Sequence, residues 1–220
     1  MNRRELFKLG SVLGLGSMLP ITSVWAQGQP YREIDPPLPT SVPGKIEVIE
    51  FFWYGCGHCF NFEPRVQRWK KTLPEDVLFS QVPVGWNSRR VNFSGHQKLF
   101  YTLEAMGVLD TAHQKVFNAI HIGKLALAND AQIFDFAESI GLDREQFANT
   151  FKSFTVATKV AQASKMTEQY KIEGVPSLAI DGKFVTSEVM TAESATHSKA
   201  GPDGVFKVAE LLIMRQRQAG

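Results

Sequence analysis

The residues with redox chemistry in this chain are its only two cysteines, set three apart in Cys56-Gly57-His58-Cys59. On a helix that spacing puts both sulfurs on one face, within reach of a disulfide. A cysteine at a helix N-terminus meets unpaired backbone N–H groups and the positive end of the helix dipole, and both favour thiolate over thiol. Cys56 is therefore expected to be the reactive sulfur, with a protonated His58 as a further positive neighbour. Cys59, one turn in, is expected to be the more buried, resolving thiol. A structural staple is the weaker reading, because closing so short a loop contributes only about 2 kcal/mol and a chain of this length can build its own core. A zinc site needs four ligands, and His96, His113, His121 and His197 are scattered rather than paired at ligand spacing. No metal or cofactor is expected.

Such a pair needs a strand, a tight turn and a helix to hold it. The run Ile46 to Trp53 is β-branched and aromatic, as in a buried strand. Tyr54-Gly55 follows as a turn, and Phe60, Phe62, Val66 and Trp69 then recur at helical spacing up to Leu73-Pro74. Glu50 is a charge inside a strand that otherwise reads as apolar on both faces. If buried it is costly and its pKa should rise; the bland alternative is a strand-end glutamate reaching solvent.

From Phe93 to Lys171 the pattern is helical, with Leu99, Leu103 and Met106, then Val116, Phe117 and Ile120, then Ile133, Phe134 and Phe136, then Phe147, Phe151 and Phe154. Asp130 and Asp143 read as helix N-caps, and Gly107, Gly123 and Gly141 as stops. The other histidines, Arg89-Arg90 and Arg215-Gln216-Arg217 read as surface features, and the methionines as core filler.

Three of the 24 basic and one of the 22 acidic side chains fall in the first 26 residues, so the rest carries 21 of each. That balance gives no electrostatic argument for nucleic acid. The first 26 residues run from a basic start (Arg3, Arg4, Lys8) through an uncharged stretch, Leu9 to Ile21, to Val24-Trp25-Ala26 before Gln27. This is the plan of a cleaved secretory signal over 1–26. A membrane anchor needs about 20 apolar residues, and Pro20 already ends this run. Arg3-Arg4-Glu5-Leu6-Phe7-Lys8 also resembles a twin-arginine signal, with Asn2 and the order Leu6-Phe7 departing from the usual pattern; general secretion remains the other route. Export implies an oxidising compartment, where idle thiols do not persist. Residues 27–44 hold Pro30, Pro36, Pro37, Pro39 and Pro43 and are expected to form an extended lead-in.

The sequence resembles the thioredoxin superfamily and, more closely, the periplasmic DsbA family of thiol–disulfide oxidoreductases, which implies the periplasm as its compartment. The matching residues are Val48 to Phe52, Cys56 to Glu63, and Gly174-Val175-Pro176-Ser177-Leu178 leading into a strand at Ala179-Ile180, a turn at Asp181-Gly182, and Lys183-Phe184-Val185. The resemblance implies an α/β, thioredoxin-like fold over 45–91 and 172–220, interrupted by a helical insertion over 92–171. It implies that Pro176 is the cis-proline facing the cysteines, and that Gly174 and Val175 meet the substrate, Val175 through its backbone. It implies that Glu50 lies under the site and handles the proton of Cys59. Many members carry Cys-Pro-His-Cys where this chain has Gly57, a difference expected to tune the redox potential. The partners it implies are unfolded exported proteins with free thiols and a quinone-linked membrane reoxidant of the DsbB type, acting on a monomer.

Two other readings stand beside an oxidase. A disulfide isomerase of the DsbC type would need an N-terminal dimerisation domain, which 27–44 is too short to supply, while a reductase would need a lower potential. A chaperone on a thioredoxin-like scaffold would use the aromatic content as a groove and would not need Cys56.

Overall fold

The protein is described here by a computed structural model covering residues 28–86, 92–194 and 198–219. The leader over 1–26, Arg89-Arg90 and His197 lie outside the described residues. Among the described residues five strands form one sheet in the order β1-β5-β4-β2-β3: β1 (Tyr31–Glu33), β2 (Ile46–Phe52), β3 (Val77–Pro83), β4 (Ser177–Ile180) and β5 (Phe184–Ser187). β2 and β3 are parallel, joined through helix α1 (Gly57–Lys70), whereas β4 runs antiparallel to β2 and β5 antiparallel to β4. β1 is a strand that the proline-rich lead-in did not suggest. It pairs antiparallel with β5, Arg32 opposite Val185, because the first proline-free stretch leaves its amides free to do so.

Strand alternation sends Val48 and Glu50 of β2 to one face and Ile49 and Phe51 to the other. On the first face Val48 packs with Phe62, Val66 and Trp69 of α1 and with Val205, Phe206, Ala209 and Leu212 of the C-terminal helix. On the second, Ile49 and Phe51 join the larger core built with the helical insertion.

That insertion comprises α2 (Phe93–Ala105), α3 (Leu109–His121), α4 (Asp130–Ser139), α5 (Arg144–Phe151) and α6 (Phe154–Gln169). A short α7 (Glu188–Glu193) and the long α8 (Gly204–Ala219) complete the chain. Asp143 caps α5 as expected, its carboxylate accepting from the Gln146 amide, but α4 is capped by Asn129, and Asp130 is its first helical residue. Gly107 and Gly141 take the positive φ of helix stops (69° and 91°), whereas Gly123 does not. Phe154 is a further correction: it opens α6 just after the Ser153 cap and is 86% exposed rather than part of the apolar face. Of the described methionines, Met106 and Met166 are part-buried and pack against the core, as filler would, whereas Met190 lines a surface groove and Met214 is exposed.

The β4–β5 turn holds Asp181 and Gly182 both at positive φ, 52° and 65°, the geometry of a tight hairpin. The lead-in docks on it, with the Leu38 amide donating to the Gly182 carbonyl at 2.9 Å and the Ile34 amide to the Lys183 carbonyl at 2.7 Å. A Cβ at position 182 would lie 2.1 Å from the Leu38 carbonyl oxygen. Gly182→Ala is therefore expected to destabilise the fold by about 2 kcal/mol, seen as a lower urea midpoint with unchanged slope; an unchanged midpoint would refute this account of the turn.

Candidate active site

The α1 N-terminus begins where β2 ends. Cys56 is the N-cap in extended conformation (φ −85°, ψ 117°), and its sulfur accepts from the Cys59 amide at 3.4 Å. Trp53 O receives the Cys56 amide at 3.0 Å, which fixes the turn between strand and helix. Cys56 is half-buried, Cys59 is 1% exposed, and both thiols are free. The expected asymmetry follows. The Cys59 thiol and the backbone amides of Cys59 and His58 hydrogen-bond to the Cys56 sulfur, the His58 charge adds to them, and together they bring its pKa down to about 6 against opposing desolvation. Burial, then the hydrogen bond and charge of Cys56, drive the Cys59 thiol far upward. His58 itself is exposed at the mouth of the site.

The loop before β4 closes over Cys56 from the other side. The Val175–Pro176 peptide is cis, and the Val175 carbonyl oxygen lies 3.4 Å from the Cys56 sulfur, placed to accept from its thiol. Pro176 does not terminate a helix, because α6 already ends at Gln169, with Lys171 in the left-handed conformation just beyond. Gly174 is exposed, and its carbonyl accepts from the Ser177 hydroxyl at 2.8 Å. Arg32 ties β1 to the end of α6 by donating to the carbonyls of Tyr170 and Lys171. A groove of about 430 Å³ runs from His58 past Glu173, Gly174, Val175 and Pro176 to Met190.

Beneath the cysteines lies a buried polar network. Glu50 is 1% exposed, which removes the reading of a strand-end group in solvent. Gln81 Nε2 of β3 donates to Glu50 Oε2 at 2.8 Å and to Glu63 Oε2 at 3.2 Å. His113 Nε2 of α3 lies 3.3 Å from the same Glu63 oxygen, and His113 Nδ1 is 2.7 Å from the Tyr54 hydroxyl. Burial, and next the Glu63 charge, push Glu50 well above the ordinary carboxylate range. Glu63 is buried too, but the His113 hydrogen bond and charge, with Gln67 and Gln81, outweigh that and hold it low.

The histidines, apart from His58, were expected at the surface, and for those described the structure corrects this. His113 and His96 are each 4% exposed. His96 Nδ1 accepts from Trp53 Nε1 at 2.9 Å, and burial pushes its pKa down. His121 is part-buried, stacked on Phe60 at 4.8 Å, with Nε2 2.8 Å from the Tyr54 carbonyl oxygen. For Glu63 the signal available in the sequence was its i to i+4 spacing from Cys59, which puts the two on one helix face; the buried histidines carried none.

Fold and site together define a thioredoxin-type thiol:disulfide oxidoreductase. Known proteins agree. A family model described as "DSBA-like thioredoxin domain" matches residues 79–196. The chain is 42% identical over 196 residues to a thiol:disulfide interchange protein DsbA of Bordetella parapertussis, covering 88% of each chain. It is 37% identical over 195 residues to that of Pseudomonas aeruginosa, covering 89% of this chain and 87% of the relative. The crystal structure of P. aeruginosa DsbA superposes with a TM-score of 0.79, covering 87% of this chain and 94% of that one. The chain belongs to the DsbA family, whose α/β fold, thioredoxin-like with a helical insertion, it shares.

With its folded pKa below the ordinary 9.0, Cys56 stabilises the reduced protein as a thiolate; that contribution is full above pH ~9 and is lost as pH falls through about 6. In the reduced protein, alkylation of Cys56 by iodoacetamide should therefore rise with a midpoint near pH 6, while the denaturant midpoint of the reduced form should fall as pH drops from 9 to 6. A midpoint near 9 for alkylation would contradict the site geometry.

Proposed function

We propose that this protein donates its Cys56–Cys59 disulfide to newly exported proteins in the periplasm. The observation that carries the reading is the opposition of the two sulfurs, an accessible stabilised Cys56 thiolate and a buried Cys59 thiol. In the reaction, a substrate thiolate attacks the Cys56 sulfur and the Cys56–Cys59 bond breaks. Cys59 departs as a thiolate and takes a proton. A second substrate thiolate then attacks the substrate sulfur of the mixed disulfide, and Cys56 leaves as its stabilised thiolate. Two electrons have passed from substrate to the pair. A low-pKa leaving thiol speeds that last step and favours it.

His58 supports the Cys56 thiolate in this scheme, and Pro176, which has no N–H, closes the site without offering the sulfur a donor. The extended Gly174-Val175 segment pairs its backbone with a substrate strand along the groove. Glu50, protonated because it is buried, supplies the proton that Cys59 takes. Reoxidation falls to a quinone-linked membrane protein of the DsbB type, and the protein acts as a monomer. The 1–26 leader delivers it, and the domain bounds 45–91 and 172–220, with the insertion over 92–171, are those of this reading.

Acid-quenched thiol trapping of the protein taken from cells tests the direction. Most of the pair should be found oxidised, and Cys56→Ser should abolish substrate oxidation; a largely reduced pair would identify a reductase, and activity surviving in Cys56→Ser a chaperone. Glu50→Gln is expected to slow substrate attack on the disulfide roughly a hundredfold at pH 6–8, measured as the ratio to wild type with one substrate so that the substrate's own ionisation cancels. A ratio near one would remove Glu50 from the mechanism.

A further inference from the structure

The buried network contains one more acidic group than proton transfer to Cys59 needs. Glu50 and Glu63 come from different elements, β2 and α1, yet both accept from the single amide nitrogen of Gln81, at 2.8 and 3.2 Å. They are 1% and 2% exposed. Two carboxylates so close and so dry cannot both ionise without a large cost, so the pair shares one proton. Which of them holds it decides whether Cys59 has a donor at hand.

Among the described residues, only one of the two has a group beside it that breaks the tie. His113 Nε2 stands 3.3 Å from Glu63 Oε2, and Gln67 Nε2 donates to the other Glu63 oxygen at 2.8 Å. The imidazole is held in that orientation by Tyr54, whose hydroxyl is 2.7 Å from Nδ1, and by edge-on rings of Phe52, Phe100 and Phe117. The Tyr54 hydroxyl rotates to donate or accept, so His113 keeps both nitrogens paired whether neutral or charged, with Nε2–H always on Glu63. Among the described residues Glu50 has no such partner. It receives one amide hydrogen bond from Gln81, and the Lys70 charge acts on it from a distance. The remaining titratable neighbours among the described residues are Cys59, one turn before Glu63 on α1, and His96, edge-on to Tyr54, whose pKa burial pushes down.

We propose that His113 is a positioning residue that fixes the negative charge of the carboxylate pair on Glu63 and thereby leaves the shared proton on Glu50, ready for the departing Cys59 thiolate. The step balances within the site. As the Cys56–Cys59 bond breaks, the electron pair stays on Cys59 sulfur, the Glu50 proton moves to it, and Glu50 becomes the carboxylate. Glu63 stays a carboxylate and His113 keeps its Nε2–H throughout. The inference rests on Glu50 as the donor but makes a separate claim about where the proton resides beforehand.

Carboxyl carbon NMR of glutamate-labelled oxidised protein across pH, with Glu50→Gln and Glu63→Gln variants assigning the two buried signals, tests the claim. In wild type at pH 6, Glu50 should be protonated and Glu63 ionised. With His113→Leu the Glu63 midpoint should rise by about one pH unit or more and the Glu50 midpoint should fall. His113→Gln, which keeps a donor without a charge, should give a smaller shift of the same sign. The pH at which the Glu50-dependent rate of substrate attack declines should fall likewise, and Glu63→Gln should reproduce that fall, with His113→Leu adding nothing in the double variant. A Glu63 that stays ionised without His113, or a wild type with the proton on Glu63, overturns the proposal, and the wild-type spectra decide even if a His113 variant does not fold. Normal oxidation by Glu50→Gln would sink the donor reading alone, since the spectra still locate the proton.

Discussion

The hydrogen bond from the Cys59 amide to the Cys56 sulfur sets the conditions for everything around it. It exists because α1 starts at Cys56, and α1 starts there because the Trp53 carbonyl captures the Cys56 amide at the end of β2. Once the first cysteine caps a helix, its thiolate lies among unpaired N–H groups at the positive end of the dipole. The second cysteine, one turn in, is necessarily carried into the core. Two chemically identical sulfurs thus acquire opposite proton affinities from a single backbone decision, and the groove above them and the polar network below answer to that difference.

The network is a cost that the fold accepts. Two carboxylates and an imidazole in a site lined by Phe52, Phe100 and Phe117 would be replaced by apolar groups if stability were the only criterion. They are tolerated because each oxygen and nitrogen named above is paired, and because the sheet and the insertion are rigid enough to hold partners from β2, β3, α1 and α3 within hydrogen-bond distance. The helical insertion thereby reaches the site: α3 places His113 against Glu63 in the buried network, and His121 with its ring on Phe60 and its Nε2 at the Tyr54 carbonyl oxygen.

What the sequence could tell falls along the same line. The strand, turn and helix around Cys56 are local, and their residue types and spacing were enough to place them, as they were for the Asp181-Gly182 turn and for Asp143 as a cap. Glu50 stood out because a charge in an apolar strand is a local anomaly. His113 gave no such sign. It sits about fifty positions after Glu63, and its burial depends on α3 packing against α1, a contact that no pattern within either helix specifies. β1 was hidden for a similar reason, since its partner β5 comes from the far end of the chain and the surrounding prolines masked three residues capable of pairing. Phe154 misled in the opposite sense, as an aromatic in phase with its neighbours that the helix start turns outward.

Gly57 connects the local backbone to the driving force. It is exposed, and a Cβ there would meet no atom within 4 Å. Packing therefore does not dictate glycine at this position, and a residue here acts on the redox pair through the first turn itself, by the freedom it gives the amides that face the Cys56 sulfur and by the water it admits. A flexible first turn holds the thiolate less firmly than a constrained one, because the amides must be ordered each time the charge appears. Whatever stabilises that thiolate stabilises the dithiol relative to the disulfide, and so raises the tendency to take electrons from a substrate. With glycine at this turn, the ordering has to come from elsewhere, from the Trp53 carbonyl that anchors the Cys56 amide; in the proposed mechanism the proton on Glu50 adds to the driving force by neutralising the Cys59 thiolate as it departs. On that proposal the oxidising character is distributed between the helix N-terminus and the buried acids behind it.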